Sequence, residues 1–159
     1  MKRIDKYPET DSFIYYNANP KNRITPDCWL RAICTGLDQD YNETLKEMVD
    51  IHLKTGYEMS SKQAIDKYLT SKGWVKCKQP KKFDGTKYTG EQFCKYMSIN
   101  DATASQGNII ANIGGHHMVA IKPTFYGDGI NCRYKIHDIW NSSYKCIGNY
   151  YIKSTLVDN

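Results

Sequence analysis

The sequence contains no long apolar run. Nothing in its 159 residues approaches the ~18 consecutive apolar residues that a membrane helix needs, so no membrane partner is expected. The first residues, "MKRIDKYPETDSFIYY", are charged and lack the apolar stretch of a secretory signal. A cytoplasmic location is therefore expected, or a host's cytoplasm for a viral chain. Thiols there are expected to stay reduced. Cys-x-x-Cys pairs are missing too: Cys28, Cys34, Cys77, Cys94, Cys132 and Cys146 are scattered, which signals neither a zinc site nor a redox dithiol. No metal and no cofactor are expected. Strong charge is also absent. A net charge of +5 is mild for a nucleic-acid binder, and the densest basic run, "KCKQPKKFDGTK", reads as a solvated loop beside Pro and Gly. No nucleic-acid partner is expected. There is no internal repeat and no low-complexity tract.

What is present is a folding composition. Hydrophobic residues make up 40% and aromatics 13%, enough for one domain with its own core. Residues 1–24 read as an irregular polar segment. Residues 25–105 read as mainly helical. Helices are expected in "TPDCWLRAICTGL", "YNETLKEMVDIHLK", "SSKQAIDKYLTSKG" and "TGEQFCKYMS". From 106 to 153 the pattern changes to short segments rich in Ile, Val and Tyr: "NIIANI", "HHMVAIKPTFY", "CRYKIHDIW" and "KCIGNYYIK". These read as antiparallel strands, with "YGDGIN" as a hairpin turn between the second and third. Helices followed by strands make the fold class α+β.

The first helix carries the chemistry. Thr25 is expected to cap it and Pro26 to open it, which makes Cys28 its third residue. Backbone N–H groups there are unpaired and the helix dipole is positive, which favours a thiolate. Cys34 falls in the apolar stripe of Leu30, Ile33 and Leu37 and reads as core. A base is available about ninety residues further on, where His116 and His117 open an apolar strand after two glycines. Side chains alternate along a strand, so only one of the pair can face a given site, and the two cannot share a metal. Asp138 follows on the next strand, with Trp140 two residues beyond it. Cysteine, histidine and aspartate in this order are the parts of a nucleophile, a base and the group that orients the base. His52 and His137 read as surface residues.

With "CW" at 28–29, "HMVA" at 117–120 and "DIW" at 138–140, the chain resembles the papain-like cysteine peptidases. "DCWLRAI" is similar to the "DCVVRAI"-like helix start of small phage and bacterial proteins taken as papain-fold peptidases. "GNYYIK" looks like the last strand of the papain sheet. The resemblance spans roughly residues 22–152. It implies a helical part with the nucleophile helix packed on a C-terminal antiparallel sheet. It also implies a catalytic triad of Cys28, His117 and Asp138, with His117 preferred over His116 by the H-x-V-A match. Trp140 would shield the His–Asp bond, and Trp29 would support the site beside the nucleophile. The oxyanion amide that family places six positions before the cysteine corresponds to Asn22, with Asn19 and Asn17 as rivals.

The chain departs from the family in three respects. The Gly and Ser/Ala that precede the papain nucleophile are missing. The orienter is Asp rather than Asn. The gap from Cys28 to His117, about ninety residues, is shorter than the ~130–150 of the papain group, which implies a trimmed fold. The activity implied is hydrolysis of peptide or isopeptide bonds in a protein or peptide substrate. The alternatives are acyl transfer to an amine, as in transglutaminase-like relatives, and a catalytically silent papain-shaped binding or inhibitor protein.

Overall fold

A computed structural model describes residues 1–127 and 131–154. In chain order the elements are α1 (Arg3–Lys6), β1 (Phe13–Tyr15), α2 (Cys28–Gly36), α3 (Tyr41–Thr55), α4 (Lys62–Ser71) and β2 (Trp74–Cys77). Then come α5 (Gly90–Asn100), β3 (Ile109–Ile113), β4 (His117–Phe125), β5 (Cys132–Asp138) and β6 (Ile147–Lys153). The fold is α+β, built on one six-stranded sheet of order β1-β5-β4-β3-β6-β2. Among the described residues no helix is long and apolar enough to cross a membrane.

The expected strands form, and β3 to β6 are joined by antiparallel pairings. The sheet as a whole is not antiparallel, however. β1 pairs parallel with β5, Phe13 against Ile136, within the segment expected to be irregular. β2 lies inside the stretch expected to be helical and pairs antiparallel with β6. Both are edge strands of three or four residues, too short to show a period of two. Of the "YGDGIN" turn, residues 128–130 lie outside the described residues; Phe125 and Cys132 pair across it.

Two apolar clusters sit on opposite faces of the sheet. One gathers Phe93 and Cys94 of α5 with Ile109, Ile113, Val119, Ile121, Tyr134 and Ile136. The other joins Ile33 of α2, Met48 of α3 and Ile65 and Leu69 of α4 with Ile110, Met118 and Tyr151. Ile109 and Ile110 are adjacent on β3 and enter different clusters, as alternation along a strand requires. Each fully buried side chain of this size contributes about 1.5–3 kcal/mol through removal from water.

α2 lies in the middle of the second cluster. Every residue from Leu30 to Gly36 is buried, so the expected one-sided stripe is in fact a helix covered all round. Its close seat on β3 needs a glycine: a Cβ on Gly36 would come within 2.3 Å of the Ile110 side chain. The helix ends at that glycine. Its start differs from the expectation. Thr25 does not cap and Pro26 is not helical; the N-cap is Asp27, and Cys28 is the first helical residue. The Asp27 N–H is tied to the Thr25 carbonyl, and the first helical bond runs from Arg31 N–H to the Asp27 carbonyl. The side chains of Asp40, Ser61 and Thr89 cap α3, α4 and α5.

Candidate active site

The three candidate residues come from three elements that meet at one end of the sheet. Cys28 opens α2, where the first N–H groups of a helix have no intrahelical partner. His117 opens β4 after Gly114 and Gly115, whose φ values of 64° and 87° make the tight reversal from β3. Asp138 closes β5. Ala120 pairs with His137, so continuing the register sets Trp140 across from His117 and Asp138 one same-face step inside.

His117 Nε2 lies 2.5 Å from Asp138 Oδ2. A carboxylate only accepts, so Nε2 carries the proton, and Nδ1 is the ring nitrogen left for a second partner. Cys28 is the titratable neighbour that acts on this ring: each group shifts the other, the thiol downward and the imidazole upward. Burial penalises the thiolate, but the favourable influence of the His117 side chain, the Met118 backbone and the Arg31 charge outweighs it. The Cys28 thiol therefore lies below its ordinary value. Burial likewise penalises the imidazolium. The hydrogen bonds and charges of Asp138 and Cys28 overcome that and push His117 up to about 9. Each group holds the other in its charged form.

Asp138 is 1% exposed, and both its oxygens are used. Besides His117, it accepts the Ile139 N–H at 2.8 Å and Arg31 Nη1 at 2.5 Å. Arg31 is itself buried, and its Nε donates to Asp27 Oδ1 at 2.8 Å. Asp27 Oδ2 takes the Tyr41 hydroxyl at 2.7 Å and the Asn19 amide at 3.1 Å. Asp27 therefore spends its carboxylate on a brace, and although it is the N-cap residue its side chain makes no cap hydrogen bond. Burial would raise its carboxyl, but Tyr41, Arg31 and Asn19 hold it below its ordinary value. One polar chain runs from Tyr41 through Asp27, Arg31 and Asp138 to His117, the group that lowers Cys28. The sequence reading does not include Arg31. Its signal is present as an Asp27/Arg31 pair at i, i+4 that shares the face of Cys28.

The supporting residues fall as follows. The Trp140 ring lies 4.9 Å from the His117 ring, and the Lys145 ammonium lies over it, 5.7 Å from the Trp140 centroid. Trp29 is half-buried and packs on the α2–α4 cluster. His116 is exposed. His137, expected at the surface, is half-buried, with Nδ1 3.0 Å from the Lys135 carbonyl and Tyr16 edge-on at 6.2 Å. His52 is exposed. Among the three asparagines, Asn19 donates to Asp27 and Tyr41, and Asn17 donates to Asn22 Oδ1 and the Arg23 carbonyl. Asn22 sits exposed in the loop before α2 at φ 54°; its backbone N–H donates to the Asn19 carbonyl, and of its side chain only the amide oxygen is engaged among the described residues.

A cavity of about 390 Å³ opens beside Cys28, lined among others by Trp29, Ile65, Met118 and Tyr151. That is the size range of ligand sites. Comparison of the chain with protein-family models, with curated proteins and with solved structures returns no match. Function is therefore read from the geometry alone.

Proposed function

We propose that the chain is a papain-like thiol hydrolase of peptide or isopeptide bonds. The observation that supports this most is the use of Asp138. It is a fully buried carboxylate with one oxygen on His117 and the other on Arg31, and His117 in turn acts on the Cys28 thiol and lowers it. A merely structural histidine does not need a cysteine at the first turn of a helix as its electrostatic neighbour.

In this reading Cys28 attacks the substrate carbonyl carbon as a thiolate, and the carbonyl π pair moves onto oxygen. The oxyanion is met by the Cys28 N–H at the helix start, with the Asn22 amide as the candidate second donor. The intermediate collapses, the C–N bond breaks, and His117 gives its proton to the leaving amine. Water then attacks the thioester with His117 as base, releasing the acid and restoring the pair. An amine in place of water would make the same site an acyl transferase.

The test is a peptidyl vinyl sulfone at mildly acid pH. Fast, stoichiometric labelling of Cys28 alone, lost in Cys28→Ala, is the expected result. Slow labelling of several cysteines, and only at alkaline pH, would leave a papain-shaped binding protein.

A further inference from the structure

The cavity beside Cys28 continues into a second one of about 380 Å³, and the two share Lys62, Asn112 and Gly115. The second cavity is walled by Lys87 and Gln79, which belong to the basic run that reads from sequence as a plain solvated loop. That run folds back on itself, with Lys81 bridging to Lys87, and Gln79 is pinned by its amide to the Ile147 carbonyl at 2.8 Å. The loop is thus fixed against β6 and forms part of the cleft wall.

The charge of this double cleft has one sign. Lys62 and Lys87 line it, and neither has an ion-pair partner among the described residues, although six other lysines do. Among the described residues no carboxylate lines either cavity. Two acids touch lining residues and are already committed. Glu58 takes the Ser60 hydroxyl, and Asp66 takes the Tyr151 hydroxyl and the Lys76 ammonium. The remaining lining is amide and apolar surface with the Ser60 and Tyr151 hydroxyls, the Cys28 and Cys146 thiols and the His116 imidazole.

We infer that the cleft selects an acidic peptide, whose carboxylates meet Lys62 and Lys87 on one side of the bond presented to Cys28. This rests on the peptide-hydrolase reading for the reaction but not for the binding. A single-signed groove concentrates oppositely charged ligands and speeds their capture, and the effect weakens with salt.

Binding is measured on the full chain carrying Cys28→Ala, so that no chemistry intervenes. The probes are two fluorescent hexapeptides, Glu-Glu-Gly-Gly-Glu-Glu and Lys-Lys-Gly-Gly-Lys-Lys, read by anisotropy at low and at physiological salt. The acidic peptide should bind at least tenfold tighter at low salt. Adding Lys62→Glu and Lys87→Glu should abolish that preference. The same net charge change made at Lys46 and Lys95, exposed on α3 and α5, should leave it within about twofold. Equal affinity for the two peptides overturns the inference. So does a preference that survives the cleft reversal or is lost equally in the α3/α5 control. A chain that binds the acidic peptide in the cleft yet fails the vinyl sulfone test retains this inference and loses the hydrolase reading.

Discussion

The two ends of α2 carry one cysteine each, and they behave in opposite ways. Cys34, in the last turn, is 2% exposed and donates only to the Arg31 carbonyl at 3.5 Å. Burial dominates there and pushes its thiol up to about 11. At Cys28 burial is again the largest influence, yet the thiol moves down. Both see the same arginine. What differs is an imidazole held by a buried carboxylate. Burial raises a thiol unless something charged is buried with it, and the helix has one site of each kind within nine residues.

The sharpest way to break that contrast is His117→Ala. Without the imidazole, burial is left as the main influence on Cys28, and its titration should move toward that of Cys34. Iodoacetamide labelling of Cys28 at pH 6 is followed by peptide mapping. The rate should fall about tenfold for every pH unit by which the thiol titrates higher. An unmoved rate profile would mean that no thiolate–imidazolium pair exists. In the intact protein the same pair sets a pH window. The folded-state His117 value, about 9, stands above the ordinary 6.5. Its protonation therefore stabilises the fold fully below about pH 6.5, and this contribution is lost as pH rises through 9. The lowered thiol works in the other direction, its contribution being lost as pH falls through the lowered value. Hydrolysis should hold on a plateau between the two and fall above pH 9, where the leaving amine finds no proton.

Next in size is Arg31→Met, which keeps the packing volume and removes the charge. Asp27 and Asp138 would then sit buried without their shared cation. Loss of one partner of a buried ion pair costs about 3–5 kcal/mol, readable as a lower urea midpoint. Adding Asp27→Asn should recover part of that loss, since one of the two orphaned charges is gone. A cost below about 1 kcal/mol would show that the brace between α2 and β5 carries little.

Arg31 also marks the limit of what the sequence makes legible. Cys28, His117 and Asp138 can be picked out because each stands in a short local pattern with chemistry of its own. The importance of Arg31 comes from Asp138, 107 positions away, and no window along the chain contains both. The helix start is misread for the same reason. Thr25-Pro26 is a sound local signal for a cap, but Asp27 is held by Tyr41, Asn19 and Arg31 together, and that network decides where the helix begins. β1 is illegible because three residues show no period, and its partner strand comes more than a hundred residues later. The helices α3, α4 and α5, with local caps and little buried polarity, are legible to within a residue or two.

The smallest expected effect is the one that tests whether the two ends of α2 are independent. Cys34→Ala removes one buried sulfur from an apolar site. The loss of contact and the small void should cost about 1 kcal/mol, measured by urea unfolding. Its effect on Cys28 should be nil. Cys34 touches Arg31 only through the backbone carbonyl, whereas it is the guanidinium that reaches Asp27 and Asp138. Deleting the sulfur leaves that guanidinium with both carboxylates and leaves His117 with its own. The pH profile of Cys28 alkylation should therefore overlay that of the wild type, and the loss of stability should be the same at pH 6 and pH 8. A profile shifted in Cys34→Ala would mean that packing at the last turn sets where Arg31 sits. The low value of Cys28 would then be a property of the whole helix and not of its first turn.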